Sequence, residues 1–264
     1  MPATAAELLE PLRAEPPASA ILCDVDGTLA PIAARPEQSV VPDEARATLE
    51  RLARRYALVA CVSGRRATDA RHLVGVESVV YVGNHGFETL RPGETAPRLD
   101  STVRERGEGV RDFVASLDPS RLEVVGIRVE DKGPIQALHW RGAPSQAAAS
   151  LQAKEVATLA QASGLVPRWG RKVLELRPVA GIDKGAAVTR LLREAGTGRA
   201  MYGGDDVTDL DAFRALRWMR SSDRLQVAVC IGVGSDEAPA ELGEQADLIV
   251  SGTDEFIELL SSLA

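Results

Sequence analysis

Five short apolar runs, each stopping at a glycine or a short polar residue, constrain this 264-residue chain more than anything else in it. They are residues 20–23 ahead of Asp24, 57–62 ahead of Ser63, 78–82 ahead of Gly83, 200–202 ahead of Gly203 and 227–231 ahead of Gly232. Runs of strand length that alternate with helical patterns describe an α/β fold. One such helix is expected from about Asp43, a good N-cap residue after Pro42, with Ala45, Leu49 and Leu52 on one face. Helices between the strands require parallel pairing by right-handed crossovers, hence a doubly wound parallel sheet. Ligands of such sheets lie beyond the carboxyl ends of the strands. The core has to be built mainly from Ala, Val, Leu and Ile, because aromatics make up only 4% of the chain.

The middle of the chain reads differently. From about residue 105 to 178 it predicts a helix, strands over 123–130 and 134–141, a helix over 146–162, and short strands over 165–169 and 173–177. The tight Asp131-Lys132-Gly133 connection makes the first two strands an antiparallel hairpin. This is a small α/β unit inserted between two halves of the parallel sheet. The expected division is a core of residues 1–104 and 183–264 and an inserted domain of residues 105–182.

Four motifs carry chemistry. Asp24-Val25-Asp26-Gly27-Thr28-Leu29 ends the first strand with two carboxylates pointing the same way and a glycine that lets the chain turn. Such crowded negative charge is costly without a cation, although Asp and Gly are also common in a plain strand-end turn. Ser63-Gly64-Arg65 follows the second strand and forms either a phosphate cradle or a helix N-cap. Lys184 opens a helix, where a lysine runs against the helix dipole and an anionic partner would explain it; Asp183 beside it reads as an N-cap. Gly203-Gly204-Asp205-Asp206-Val207-Thr208-Asp209 puts three acids within five residues, which suits an oxygen-ligand site for Mg²⁺ or a helix N-terminus.

In order and placement these motifs resemble the haloacid-dehalogenase superfamily, and within it the trehalose-6-phosphate phosphatases. The narrower resemblance lies in Gly83-Asn84-His85-Gly86, Val129-Glu130-Asp131-Lys132-Gly133, His139-Trp140-Arg141 and the stretch from Lys172 to Pro178. It covers nearly the whole chain from Leu22 onward. It implies that Asp24 attacks phosphorus, that Asp26 acts as acid and then base, and that Ser63, Gly64 and Lys184 hold the phosphoryl group. It also implies that Asp24, the Asp26 backbone carbonyl and Asp205 hold Mg²⁺, with Asp209 in support. The inserted unit would be a cap that closes over the site. The substrate, a disaccharide phosphate, would be met by Arg65, Asn84, His85, Glu130, Lys132, His139, Arg141, Lys172 and Glu175. Read as residues alone, Lys172 and Glu175 also fit a solvated strand face, and His139 a structural role. One departure stands out: Leu210 replaces the glutamate with which the family usually continues its acidic loop.

The net charge of −7 argues against nucleic acid or an anionic membrane as partner. No apolar stretch reaches the roughly 20 residues of a membrane helix, and the N-terminus lacks the pattern of a signal peptide. Cys23, Cys61 and Cys230 each lie in an apolar run and read as reduced core residues, which fits the cytoplasm; a monomer is the expected state. The competing readings are a phosphatase of another sugar or aminocyclitol phosphate, and a non-catalytic sugar-phosphate sensor. Keeping both a nucleophile and an acid argues against the sensor.

Overall fold

The computed structural model describes residues 4–33, 38–99, 101–170, 172–178, 181–235 and 238–264. In chain order the strands are β1 (Ser19–Cys23), β2 (Leu58–Val62), β3 (Val80–Gly83), β4 (Glu88–Leu90), β5 (Arg98–Leu99), β6 (Arg128–Asp131), β7 (Gln136–His139), β8 (Val166–Gly170), β9 (Val173–Arg177), β10 (Arg199–Gly204), β11 (Val227–Val233) and β12 (Leu248–Val250). The helices are α1 (Ala5–Ala14), α2 (Asp43–Arg55), α3 (Ala67–Val74), α4 (Ser101–Ala115), α5 (Pro119–Val124), α6 (Gln146–Ala162), α7 (Lys184–Ala195), α8 (Asp209–Ser221), α9 (Ala240–Gln245) and α10 (Thr253–Ser261). The chain divides into two compact units, Met1–Arg98 with Ile182–Ala264, and Leu99–Gly181.

The larger sheet has the order β12-β11-β10-β1-β2-β3-β4-β5. All pairs from β12 to β3 are parallel. The short strand β4 returns antiparallel to β3, which makes the sheet mixed at that edge. From β1 the chain moves outward through β2 and β3, then comes back to β10 on the other side of β1 and continues to β11 and β12. The winding reverses between β1 and β10, so the crevice beyond their carboxyl ends is the switch point.

Both faces of this sheet are covered. Ile21 and Cys23 of β1 point into a core with α1, α2, α3 and α10, whereas Ala20 and Leu22 point into a second core with α7 and α8. The α2 face predicted from periodicity is the buried one: Ala45, Leu49 and Leu52 are fully covered. Truncating a fully buried leucine such as Leu49 to alanine costs about 2–5 kcal/mol. The N-terminal segment, which the sequence left without a role, forms α1. Thr4 and Glu7 close a capping box there, and Leu9 and Leu12 dock on the first core.

The second unit is a four-stranded antiparallel sheet in the order β6-β7-β9-β8. One face of α6 carries Ala149, Ala153, Val156, Ala157 and Ala160, small residues that bring the helix close to Leu138, Leu174 and Leu176 of the sheet. The predicted strand over 123–130 is shorter than expected, because 119–124 is helix α5. Asp118 caps it by accepting the Ser120 N–H, and Pro119 stands at its first position, a start signal that outweighs the β-branched pair Val124-Val125. Among the described residues no helix is long and apolar enough to cross a membrane.

Candidate active site

The register of the larger sheet brings three of the four motifs to one place. Cys23 pairs with Gly203 on one side and with Cys61 on the other, so Asp24, Asp205 and Ser63 leave neighbouring strand ends. The Asp24 N–H continues the ladder by donating to the Gly203 carbonyl at 2.9 Å, which fixes the backbone beneath a carboxylate only 5% exposed. Beyond it Gly27 turns with φ of 86°, and a Cβ there would lie 2.1 Å from Asp205 Oδ2. Only glycine fits, so the Asp-x-Asp-Gly turn can close against Asp205. The Thr28 hydroxyl then donates to Asp205 Oδ1 at 3.0 Å.

Lys184 supplies the fourth element. Asp183 is indeed an N-cap, accepting the Ala186 N–H at 2.8 Å, and it starts α7 so that the next side chain turns inward. The Lys184 ammonium is buried, 3.1 Å from Asp24 Oδ1 and 2.7 Å from Asp209 Oδ1. Burial works against its charge, but Asp209 and Asp24 outweigh burial and hold Lys184 above its ordinary range.

Ser63 is buried, and its hydroxyl oxygen accepts the Arg65 N–H at 3.1 Å. It is not the N-cap of α3, since Arg66 holds that position. The turn from Ser63 to Arg65 rests on the next strand end: Asn84 N–H donates to the Arg65 carbonyl at 2.7 Å and His85 N–H to the Ser63 carbonyl at 3.0 Å. Asn84 and His85 both adopt the left-handed region, with φ of 51° and 57°. That conformation lays the His85 ring over Gly64, where a Cβ would stand 2.7 Å from the imidazole.

Asp24, Asp205 and Asp209 form a buried cluster whose carboxylate oxygens lie within 4.8 Å of one another. Asp209 already has its four acceptor positions filled. Its Oδ1 takes Lys184 and the Tyr202 hydroxyl, both at 2.7 Å, and its Oδ2 takes the N–H groups of Asp205 and Asp206 at 3.0 Å each. It therefore holds the loop and the lysine, leaving Asp24 and Asp205 with open oxygens. Burial raises the Asp24 carboxyl well above its usual range; Lys184 pulls it back, and Asp209, Asp205 and Asp26 push it up again. Asp205 is pushed up to about 7, by burial first and then by Asp209. One buried ammonium thus faces three buried carboxylates, and a hard divalent cation fits the deficit of positive charge and the all-oxygen donor set.

Asp26 points elsewhere. Arg65 Nε and Nη2 donate to its Oδ2 and Oδ1 at 2.6 and 2.7 Å, and Ser39 donates to Oδ1 at 3.1 Å. Leu210, where the family's glutamate is missing, is buried in the second core. Sequence reasoning missed Tyr202, Ser39 and Arg177. Tyr202 lies within an apolar run, and Ser39 lies in a connection with no motif of its own.

In the second unit, strand register puts Glu130, His139, Glu175 and Arg177 on one face of the sheet. Glu130 meets His139 at 2.7 Å. Glu175 is buried and meets Lys132 at 3.2 Å and Arg177 at 2.6 Å, so the solvated-face reading of Glu175 does not hold. Arg141 and Lys172 are exposed, and Lys172 has a positive φ of 56°.

The sheet, with carboxylates, a hydroxyl and a lysine gathered at its switch point, has the same α/β fold as a haloacid dehalogenase-like hydrolase from Bacteroides thetaiotaomicron, with a TM-score of 0.62 at 18% identity over 93% of this chain and 99% of that one. The trehalose-phosphatase family model matches residues 22–243, and the chain belongs to that family. It is 35% identical over 206 residues to an uncharacterized glycosyl hydrolase of Mycobacterium tuberculosis, a match covering 75% of this chain and 15% of that protein. It is 33% identical over 211 residues to the trehalose-phosphate phosphatase of Mycobacterium marinum, covering 76% of this chain and 52% of that one. The chain thus spans well under two thirds of these relatives' lengths. The C-terminal domain of the Candida albicans trehalose-6-phosphate phosphatase has the same fold, with a TM-score of 0.73 at 21% identity over 99% of this chain and 97% of that one.

Proposed function

We propose that this chain hydrolyses a disaccharide phosphate, trehalose 6-phosphate, to trehalose and phosphate through a phosphorylated Asp24. The observation that carries the reading is the buried Asp24 carboxylate at the switch point, with the Lys184 ammonium 3.1 Å from one oxygen and Asp205 beside it. A carboxylate approaches a phosphate dianion only where cations offset the repulsion, and this cluster is built to hold them. Asp24, Asp205 and the Asp26 backbone carbonyl would hold Mg²⁺, which when bound neutralises charge between nucleophile and phosphate.

Asp24 attacks phosphorus, and the ester oxygen leaves with a proton from Asp26. Ser63, the Gly64 amide and Lys184 hold the phosphoryl oxygens. Water then attacks the phosphorylated Asp24 and gives its proton to Asp26, so the acid is restored for the next turnover. In the second unit, Glu130, Lys132, His139, Arg141, Lys172 and Glu175 offer donors and acceptors suited to sugar hydroxyls, and Asn84 and His85 do the same in the first. A cytoplasmic location goes with this reading, since Cys23, Cys61 and Cys230 are free and buried.

Phosphate release from a panel of sugar phosphates, with and without Mg²⁺, tests it. Trehalose 6-phosphate should have the highest kcat/KM. A clear preference for sucrose phosphate or another ester would move the substrate assignment, and no release from any ester would sink the activity.

A further inference from the structure

Arg65 was expected among the residues that meet substrate, but its guanidinium is engaged with another group. Nε and Nη2 form a two-pronged pair with Asp26 at 2.6 and 2.7 Å, the geometry by which an arginine fixes a carboxylate plane. Ser39 closes a ring, donating to Asp26 Oδ1 at 3.1 Å and accepting from Arg65 Nη2 at 3.1 Å. Arg65 is itself anchored at the phosphate cradle, through its N–H to Ser63 and its carbonyl to Asn84. The fork therefore ties the end of β2 to the acid that follows β1.

The count of acceptor positions gives this clasp a chemical sense. Asp26 Oδ1 accepts from both Arg65 and Ser39, which fills it. Among the described residues Oδ2 accepts only from Arg65 Nε, so one lone pair remains there. The fork also fixes the plane of the carboxylate, and so the direction in which the remaining Oδ2 lone pair points. We propose that Arg65, with Ser39, is a positioning residue for the water step: it holds Asp26 in one orientation with Oδ2 as the proton acceptor. In that step the water oxygen forms a bond to phosphorus, and the bond from phosphorus to the Asp24 oxygen breaks. Its electron pair returns to Asp24, and the proton of water goes to Asp26 Oδ2. The inference rests on the proposed roles of Asp24 and Asp26.

The test is Arg65→Met, which keeps the aliphatic stem and removes the fork, assayed on p-nitrophenyl phosphate with Mg²⁺. An aryl leaving group needs no proton, so kcat/KM reports the first phosphoryl transfer, whereas kcat includes the water step. The expected result is a kcat lower by about 10- to 100-fold, the scale of a misplaced catalytic group, with kcat/KM within about 3-fold of wild type. Rapid mixing should then show a burst of p-nitrophenolate approaching one per enzyme. Ser39→Ala should give the same pattern more weakly, and it serves if Arg65→Met does not fold. Arg65→Lys, a single point charge, should recover only part of the loss. A raised KM at unchanged kcat would overturn the inference and return Arg65 to substrate binding. Equal falls in kcat and kcat/KM without a burst would overturn it too, as would unchanged kinetics. Asp26→Asn in parallel keeps the two ideas apart. If that variant turns over normally, the proposed roles fail. If it is inactive while Arg65→Met and Ser39→Ala are normal, only the positioning role fails.

Discussion

The Tyr202 hydroxyl donates to Asp209 Oδ1 at 2.7 Å, sharing that oxygen with the Lys184 ammonium. Both residues are wholly buried, so a chain of contacts from Tyr202 through Asp209 and Lys184 reaches Asp24 without meeting solvent. Tyr202→Phe removes one donor and leaves the packing, and Asp209 then draws Lys184 more strongly. The variant should lose about 1.5–3 kcal/mol of stability, the value of a hydrogen bond to a charged group. Urea denaturation measures it, and an unchanged midpoint would show that the contact contributes nothing.

Asp24→Asn should lower turnover by roughly a thousandfold or more, as loss of a nucleophile does. Substrate affinity should survive, because the change removes a negative charge beside the phosphate. Single-turnover assays together with calorimetric titration of substrate read both. Activity above about a tenth of wild type would exclude Asp24 as nucleophile.

Gly27→Ala tests the closure of the first motif on Asp205. A methyl group 2.1 Å from Asp205 Oδ2, on a backbone with φ of 86°, cannot be absorbed without moving that carboxylate. The Mg²⁺ concentration for half-activation should rise at least about tenfold, since a displaced ligand is a lost one. An unchanged activation curve would mean that Asp205 is not a ligand.

Chelation should stop the reaction and Mg²⁺ should restore it, while Ca²⁺ should restore it poorly. Calcium takes a larger and looser oxygen shell, which misplaces nucleophile and phosphorus. Full activity in chelator would remove the case for a metal.

In the second unit, Glu175→Ala leaves Lys132 and Arg177 without their shared carboxylate in a buried setting. Removing one partner of a buried ion pair costs about 3–5 kcal/mol, so this variant should melt early as well as lose activity. Glu175→Gln keeps the shape and is the better probe of substrate. It should lower kcat/KM for the disaccharide phosphate by about ten- to a hundredfold and spare p-nitrophenyl phosphate. Equal losses on both would assign Glu175 to folding alone.

How much of this was legible beforehand follows from where each signal lies. The central strands are continuous apolar runs because both their faces are buried, and three of the four motifs sit where such a run stops. For that reason Asp24, Ser63 and Asp205 could be placed at one sheet edge from order alone. Lys184 needed the helix start supplied by Asp183. Strands β4 and β5 are too short for periodicity to register, with three and two residues. At α5 the Asp118-Pro119 start signal competes with the strand propensity of Val124 and Val125, and the cap decides. The partnership of Arg65 with Asp26 had no trace in the sequence, since a long side chain can face substrate or a neighbour and only the distance between strand ends decides.

The position of β1 also shapes how the chain is made. Its partner β10 lies about 180 residues further on, so at synthesis rates of roughly 5–20 residues per second one edge of β1 waits for about 10 to 35 seconds. During that interval Ser19–Cys23, almost wholly apolar, presents unpaired backbone groups to any other strand in reach. Yield in the cell should therefore depend on what shields this edge on the ribosome, and a nascent chain halted before Arg199 is the form most exposed to aggregation.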